Sequence, residues 1–439
     1  MLKSQQDRLV DRFWRLALVN ILSNLMVPLA SLIDTAFLGH LADIRHLGGV
    51  AIASIVFNYI YWSFGFLRMA TTGTTAQAAG ASDRDTVILT LLRNGAIAIF
   101  IALVILILQY PLREVGFTLL SAAPEVLESG RDYYNVLIWG APATLLNFVL
   151  LGWFLGRELA GKVLILSIID KGANVALNYL FIVQLGWASS GAAAATAISQ
   201  YLNLLVGLTF IWREFPYSSL LQYRNLIFNS KTLKAAFTLN SNIFIRTLAL
   251  ISTFAVFTNL SSALGTTVLA VNTLLLQVVT FGAYFIDGIA FATESIAGNL
   301  YAQKNNRQLL SLIKLAGGAS LIAGLLFALV FWSLPSLFEL LTNHAEIIKS
   351  LMKYTIWLFP VLGFGSIAYM LDGYFLGLTQ GKILRTSTVI AAVVGFALVA
   401  IAAWQLQNIH LLWLALCMFM IGRVITLGWK VPQTLKKRL

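Results

Sequence analysis

The chain has 439 residues, 59% of them hydrophobic and 11% charged, with a formal net charge of +12. Soluble domains carry about 25% charged residues, so a soluble enzyme or binding module is excluded and a polytopic helical membrane protein is indicated. The basic excess falls in short loops between apolar runs, where topology rather than nucleic acid accounts for it, and the single cysteine, Cys417, leaves no disulfide framework or thiolate metal cluster.

Run length and periodicity predict helices over 14–38, 47–72, 88–111, 133–156, 162–184, 191–213, 236–262, 267–296, 309–333, 352–377, 383–405 and 410–430. The arm before the first helix, with Lys3, Arg8, Arg12 and Arg15, lacks the short core and cleavage site of a signal peptide, so that helix reads as a retained span. Twenty-one Lys and Arg residues fall in the N-terminal arm, in loops after even-numbered helices and in the C-terminal tail (Lys436, Lys437, Arg438); five fall on the other side. The positive-inside rule then places both termini in the cytoplasm. The expected organisation is an N-lobe of six helices over 1–213, a cytoplasmic linker over 214–235 and a C-lobe of six helices over 236–439.

Two stretches are copies of one another. Gly152-Trp153-Phe154-Leu155-Gly156 followed by Gly161-Lys162 repeats as Gly373-Tyr374-Phe375-Leu376-Gly377 followed by Gly381-Lys382, and Pro142 and Pro360 precede them; the offset is about 220 residues, half the chain. With six spans per half the repeats share one orientation, so a pseudo-twofold along the membrane normal and a site between the halves are expected, as in transporters.

Charges within the apolar runs are the informative residues: Asp34, Asp170, Lys171, Arg246, Asp287, Glu294 and Asp372. A carboxylate at bilayer depth costs at least about 2.5–3.5 kcal/mol on insertion scales, so such groups face water or a partner. Burial of a carboxylate also favours its neutral form, which suits proton uptake. Structural ion pairing is the alternative, and for adjacent Asp170 and Lys171 the two readings are equally weighted. Asp170, Asn174 and Asn178 recur every four residues, Asp287 and Glu294 every seven, as do Gln277 and Tyr284, and Asn20 and Asp34 lie fourteen apart. Each spacing is a polar stripe on an apolar helix, which implies an aqueous interior. Pro28 removes the donor to the Asn24 carbonyl and makes a hinge, or a static kink, six residues before Asp34. His40, His46, His344 and His410 read as solvated loop histidines, and no nucleophile–base pair or metal-ligand cluster is present, so an enzyme is not expected.

The segments Val27 to Leu41, Phe66 to Gln77, Ala141 to Asn147, Leu269 to Asn272 and Leu371 to Gly377 resemble the multidrug and toxic compound extrusion (MATE) family, specifically its bacterial DinF-like branch. The resemblance covers nearly the whole chain. It implies a cation-coupled antiporter in the bacterial inner membrane, a monomer without cofactor, expelling amphipathic and often cationic drugs or toxins by alternating access, with protons or, in some members, sodium flowing in. Asp34 matches the family's protonated aspartate, Asn174 and Thr196 members of the same cluster, Asp372 the acid that binds cations in other branches, and Asp287 and Glu294 an acid pair of this branch.

Two departures stand out: Asn178 replaces a second aspartate, and Ala17-Leu18-Val19 replaces an Ala-Leu-Pro context, shifting any bending of the first helix to Pro28 and Asn20. The expected coupling site is Asp34 with Asn174, Asn178, Thr196 and Asn20. A substrate or second cation site draws on Asp287, Glu294, Asp372, Gln277, Tyr284 and Arg246. Sodium stays open as the coupling ion, a lipid-linked precursor flippase is the rival transporter reading, and a membrane scaffold or sensor is the rival class.

Overall fold

The computed structural model describes residues 2–39, 41, 43, 45–118, 120, 122–216, 222–339, 342 and 345–436, with the side chains of 2–5, 345 and 436 excepted. His40, His344, Lys437 and Arg438 therefore lie outside the described residues. Among the described residues there is no strand, and twelve helices are long and apolar enough to cross a membrane. They are α1 Gln6–Gly39, α2 Arg45–Gly80, α3 Arg84–Ile107, α4 Pro124–Gly156, α5 Ala160–Gln184, α6 Ala188–Glu214, α7 Ser230–Ala263, α8 Thr266–Ala302, α9 Asn306–Ser333, α10 Thr355–Gly377, α11 Gly381–Gln405 and α12 Ile409–Leu435.

Each expected span is present, and most run past the apolar stretch that announces them. α2 continues to Gly80 and α4 starts at Pro124, through small and polar residues that lie outside the hydrophobic run. The two repeat prolines mark matching breaks. A 3₁₀ turn at Ile138–Gly140 gives way to Ala141–Gly156 with Pro142 in its first turn, and a 3₁₀ turn at Thr355–Trp357 gives way to Leu358–Gly377 with Pro360 in its first turn. Proline is tolerated there because a first-turn N–H has no intrahelical acceptor. α1, by contrast, is helical through Val19 and Pro28 without interruption.

The chain forms two compact units, residues 22–237 and residues 1–21 with 238–439. The boundary differs from the sequence grouping of 1–213 and 236–439 at α1, whose first 21 residues cluster with the C-terminal helices. The cause is a helical stripe of Leu9, Phe13, Leu16, Ala17, Asn20 and Ile21, all buried, and Gly288 of α8, whose absent side chain lets the backbone of Ile21 approach. Within the unit of residues 22–237, the segment after α6 is tied to α3. Arg93 donates to the carbonyls of Ile227 and Leu226 at 3.3 and 2.9 Å, and the Tyr223 hydroxyl donates to Asp85 at 2.5 Å.

The sequence repeat has a physical meaning here. A Cβ at Gly152 or Gly156 of α4 would lie 2.4 and 2.6 Å from the carbonyl oxygens of Arg68 and Thr72 in α2. In the other unit, a Cβ at Gly373 or Gly377 of α10 would lie 2.4 and 2.2 Å from those of Ala290 and Glu294 in α8. Each copy is a pair of glycines four residues apart that brings two helix backbones into contact, the packing that small residues make possible in membranes.

Two histidines depart from the solvated-loop expectation. His46 opens α2 and its Nδ1 lies 3.1 Å from Ser129 Oγ, while His410 opens α12 and accepts from Trp357 Nε1 at 3.1 Å. Both satisfy buried or half-buried partners rather than water alone.

Candidate functional site

In the unit of residues 22–237 the polar stripe of α5 meets α1 and α6. Asp170, Asn174 and Asn178 are all buried, since a four-residue spacing keeps them on the face of α5 opposite its exposed Ile165, Ile168 and Tyr179. The stripe is linked end to end by hydrogen bonds. Asn178 Nδ2 donates to Asp34 Oδ1 at 2.5 Å and to Asn174 Oδ1 at 3.3 Å, and Asn174 Nδ2 donates to Thr196 Oγ1 at 3.1 Å. The Thr196 hydroxyl donates to the Ala192 carbonyl at 3.0 Å, so its lone pairs face the amides. Asp34, half-buried near the end of α1, is thereby held by the one α5 position that carries an amide where a second acid is expected.

The lower part of the stripe was not anticipated in detail. Asp170 Oδ1 accepts from Gln200 Nε2 at 3.0 Å and from Ser199 Oγ at 3.2 Å, while Oδ2 pairs with Lys171 Nζ at 2.9 Å. Asn147 of α4 in turn donates to Gln200 Oε1 at 2.9 Å. Ser199 and Gln200 follow Thr196 by three and four residues, one turn of α6, a spacing that places them against the α5 stripe. Tyr133, buried on α4, brings its hydroxyl to Ser54 and Thr196 within reach of the Asp34 charge.

The remaining predicted residues divide. Asn20 is buried in the other unit, with the first 21 residues of α1. In that other unit Asp372 Oδ2 is bound by Arg246 Nη2 and by Arg423 Nη2, and all three side chains are buried. Arg423 also lies over the rings of Tyr369 and Phe419, with its guanidinium carbon 5.1 and 5.5 Å from their centroids. Asp287 is near enough to bear electrostatically on Tyr369, Arg423 and Tyr284. Glu294, two turns further into α8, is fully buried. Gln277 is exposed, and among the described residues it makes no hydrogen bond to these acids. Arg423 is the buried charge of this set that sequence reasoning missed. It sits in the middle of the last apolar run, and the cost of a charge at bilayer depth flags it on the same ground as Arg246.

The family profile described as MatE matches residues 20–180 and again 243–401, once in each half. The chain belongs to the MatE family. DNA damage-inducible protein F of Escherichia coli is 36% identical to this MatE protein over 426 residues, covering 94% of this chain and 90% of that protein. A probable multidrug resistance protein NorM of Acinetobacter baylyi is 24% identical over 329 residues, with 72% and 71% covered. Among solved structures, an outward-facing multidrug resistance MATE family transporter of the MOP superfamily aligns at a TM-score of 0.89 and 20% identity over 98% of this chain and 97% of that one. A MOP superfamily transporter from Pyrococcus furiosus aligns at 0.88 with the same identity and coverage. At that identity the likeness is one of fold. As a MatE member the chain is a multi-pass membrane transporter of a multidrug transporter family and not an enzyme.

Proposed function

We propose that this MatE protein is a proton-driven antiporter that exports amphipathic, often cationic small molecules by alternating access, with Asp34 as the coupling group. The observation that carries the reading is the Asp34–Asn178–Asn174–Thr196 chain, a carboxylate held by an amide stripe inside apolar helices. An amide serves both states of its neighbour. As placed, Asn178 donates to the ionised carboxylate, and turned over it accepts from the protonated acid. Ionised, Asp34 attracts a cationic drug; protonated, it does not, and this differential affinity is what exchange of one for the other requires. One charge moved through 100 mV supplies about 2.3 kcal/mol.

Sodium is the second reading, favoured by one observation: buried Asn178 Oδ1 has no hydrogen-bond partner, leaving an oxygen beside the Asp34 carboxylate. Two guanidiniums on Asp372 Oδ2 neutralise its charge, which weighs against Asp372 as a cation ligand. Arg246 and Arg423 thus act as partners of Asp372, which weighs against a basic site for a lipid-linked pyrophosphate. Asp287 and Glu294 remain candidates for a second cation. The Lys and Arg asymmetry supports cytoplasmic termini in a bacterial inner membrane, and the proposed transporter works as a monomer.

The test is export of ethidium from proteoliposomes under an imposed proton gradient and, separately, a sodium gradient. A proton gradient alone is expected to drive export by the parent, and Asp34→Asn to reduce it to the level of empty liposomes. Export driven by sodium alone, or retained by Asp34→Asn, overturns the reading.

A further inference from the structure

We propose that Lys171 is a built-in counter-cation that sets the charge of the exported molecule, holding the polar cluster of α5 at one net negative charge so that the site takes monocations and rejects dications. The inference rests on the antiport reading above.

The geometry begins with the helical wheel. Lys171 and Asn178 are seven residues apart on α5 and so share a face, and it is Asn178 that holds Asp34. The exposed side of α5 carries Ile165, Ile168 and Tyr179, and Ile168, the nearest of them, lies about 60° around the helix from Lys171. Lys171 thus stands between Asn178 and the edge of that exposed face, and its ion pair with Asp170 ties the ammonium to the polar stripe. Its ammonium lies 2.9 Å from Asp170 Oδ2, and the lysine is the more accessible partner, with 27% of its side chain exposed against 11% for Asp170. Asp170 is fixed from behind, because Gln200 and Ser199 bind its other oxygen and Asn147 holds Gln200.

The charges can then be assigned. Those that bear on Asp34 belong to Lys171 and Asp170, and the attraction of the ammonium exceeds the repulsion of the carboxylate. Asp34 and Asp170 contribute two negative charges and Lys171 one positive. With Asp34 ionised the cluster is one charge short of neutral, and with Asp34 protonated it is neutral. A monocation completes the first state and has no counter-charge in the second. A dication would leave an excess positive charge beside buried Asp170, Asn174 and Asn178, where uncompensated charge is disfavoured. A purely structural Asp170–Lys171 pair predicts no link between position 171 and substrate charge, which makes the two roles separable.

The experiment measures proton-driven export of tetraphenylphosphonium, a monocation, and methyl viologen, a dication, from proteoliposomes of the full chain. The variants are Lys171→Gln, Lys171→Arg, Asp170→Asn, the double variant Asp170→Asn/Lys171→Gln, and Asp34→Asn. Lys171→Gln is expected to raise the dication-to-monocation rate ratio at least tenfold, and Lys171→Arg to keep the parent ratio. The double variant restores one net negative charge and is expected to return to the parent ratio. An unchanged ratio in Lys171→Gln overturns the proposal, as does a double variant that behaves like Lys171→Gln. Should Lys171→Gln fail to fold, the double variant against Asp170→Asn decides: the double is expected to recover the monocation preference that the neutral Asp170→Asn cluster loses, and equal ratios overturn the proposal. Export retained by Asp34→Asn is a different failure, that of the antiport reading itself.

Discussion

Asp372 shows how the partners of a residue change what it can do. By type and depth it is a candidate cation ligand, yet Arg246 and Arg423 converge on one of its oxygens. Breaking a buried ionic set by removing one member costs about 3–5 kcal/mol, because the others stay buried without compensation. Arg423→Met is therefore expected to lower the unfolding temperature in detergent by several degrees, read by intrinsic fluorescence; an unchanged melting curve would mean the set is dispensable. Asp34 was legible from its depth in an apolar run, and Asn174, Asn178 and Thr196 from spacing and resemblance. Ser199, Gln200 and Asn147 were not, since none was read as part of a stripe with an acid on its own helix, and only the structure shows the chain from Asn147 through Gln200 to Asp170.

At the scale of elements, two kinds of helix feature make separate predictions. Gly377 lies so close to the Glu294 carbonyl that any side chain must push α8 and α10 apart. Gly377→Ala is expected to destabilise by about 1–3 kcal/mol, as overpacking does. Gly318 in α9 has open space where a Cβ would stand, and Gly318→Ala is expected to stabilise by about 0.5–1 kcal/mol. Thermal unfolding of the pair side by side checks the sign of each.

Asp83 caps α3, accepting from Thr86 N at 3.0 Å and from the Thr86 hydroxyl at 2.6 Å. These hydrogen bonds hold its pKa below the ordinary carboxylate value. A group depressed in the folded state contributes stability above its unfolded pKa and loses it as pH falls through the folded one. Asp83→Ala should thus cost about 1 kcal/mol at neutral pH, and the gap from the parent should close below about pH 4. A gap independent of pH would assign the effect to something other than the carboxylate. The spans themselves were legible because apolar runs announce them; their polar extensions were not, since the helix ladder outlasts the hydrophobic signal that marks it.

For the molecule as a whole, the proposed orientation rests on the loop charges, and the lone thiol makes it measurable. Cys417 is buried, so single cysteines introduced on the surface can be labelled over a low background. Ser230→Cys, at the exposed start of α7, is expected to react with an impermeant maleimide only from the cytoplasmic side, and Ser336→Cys, exposed beyond α9, only from the outside. The reverse pattern would invert the topology.

The duplication was readable at this scale, while the assignment of the first 21 residues was not, because a buried stripe in a sequence does not name the helix it packs against. The glycine pairs explain why the halves stayed recognisable. Where two backbones touch, no compensating change in a neighbouring side chain can rescue a substitution, so drift after the doubling had nowhere to go. The repeat that first draws the eye in this sequence is a fossil preserved by lack of room.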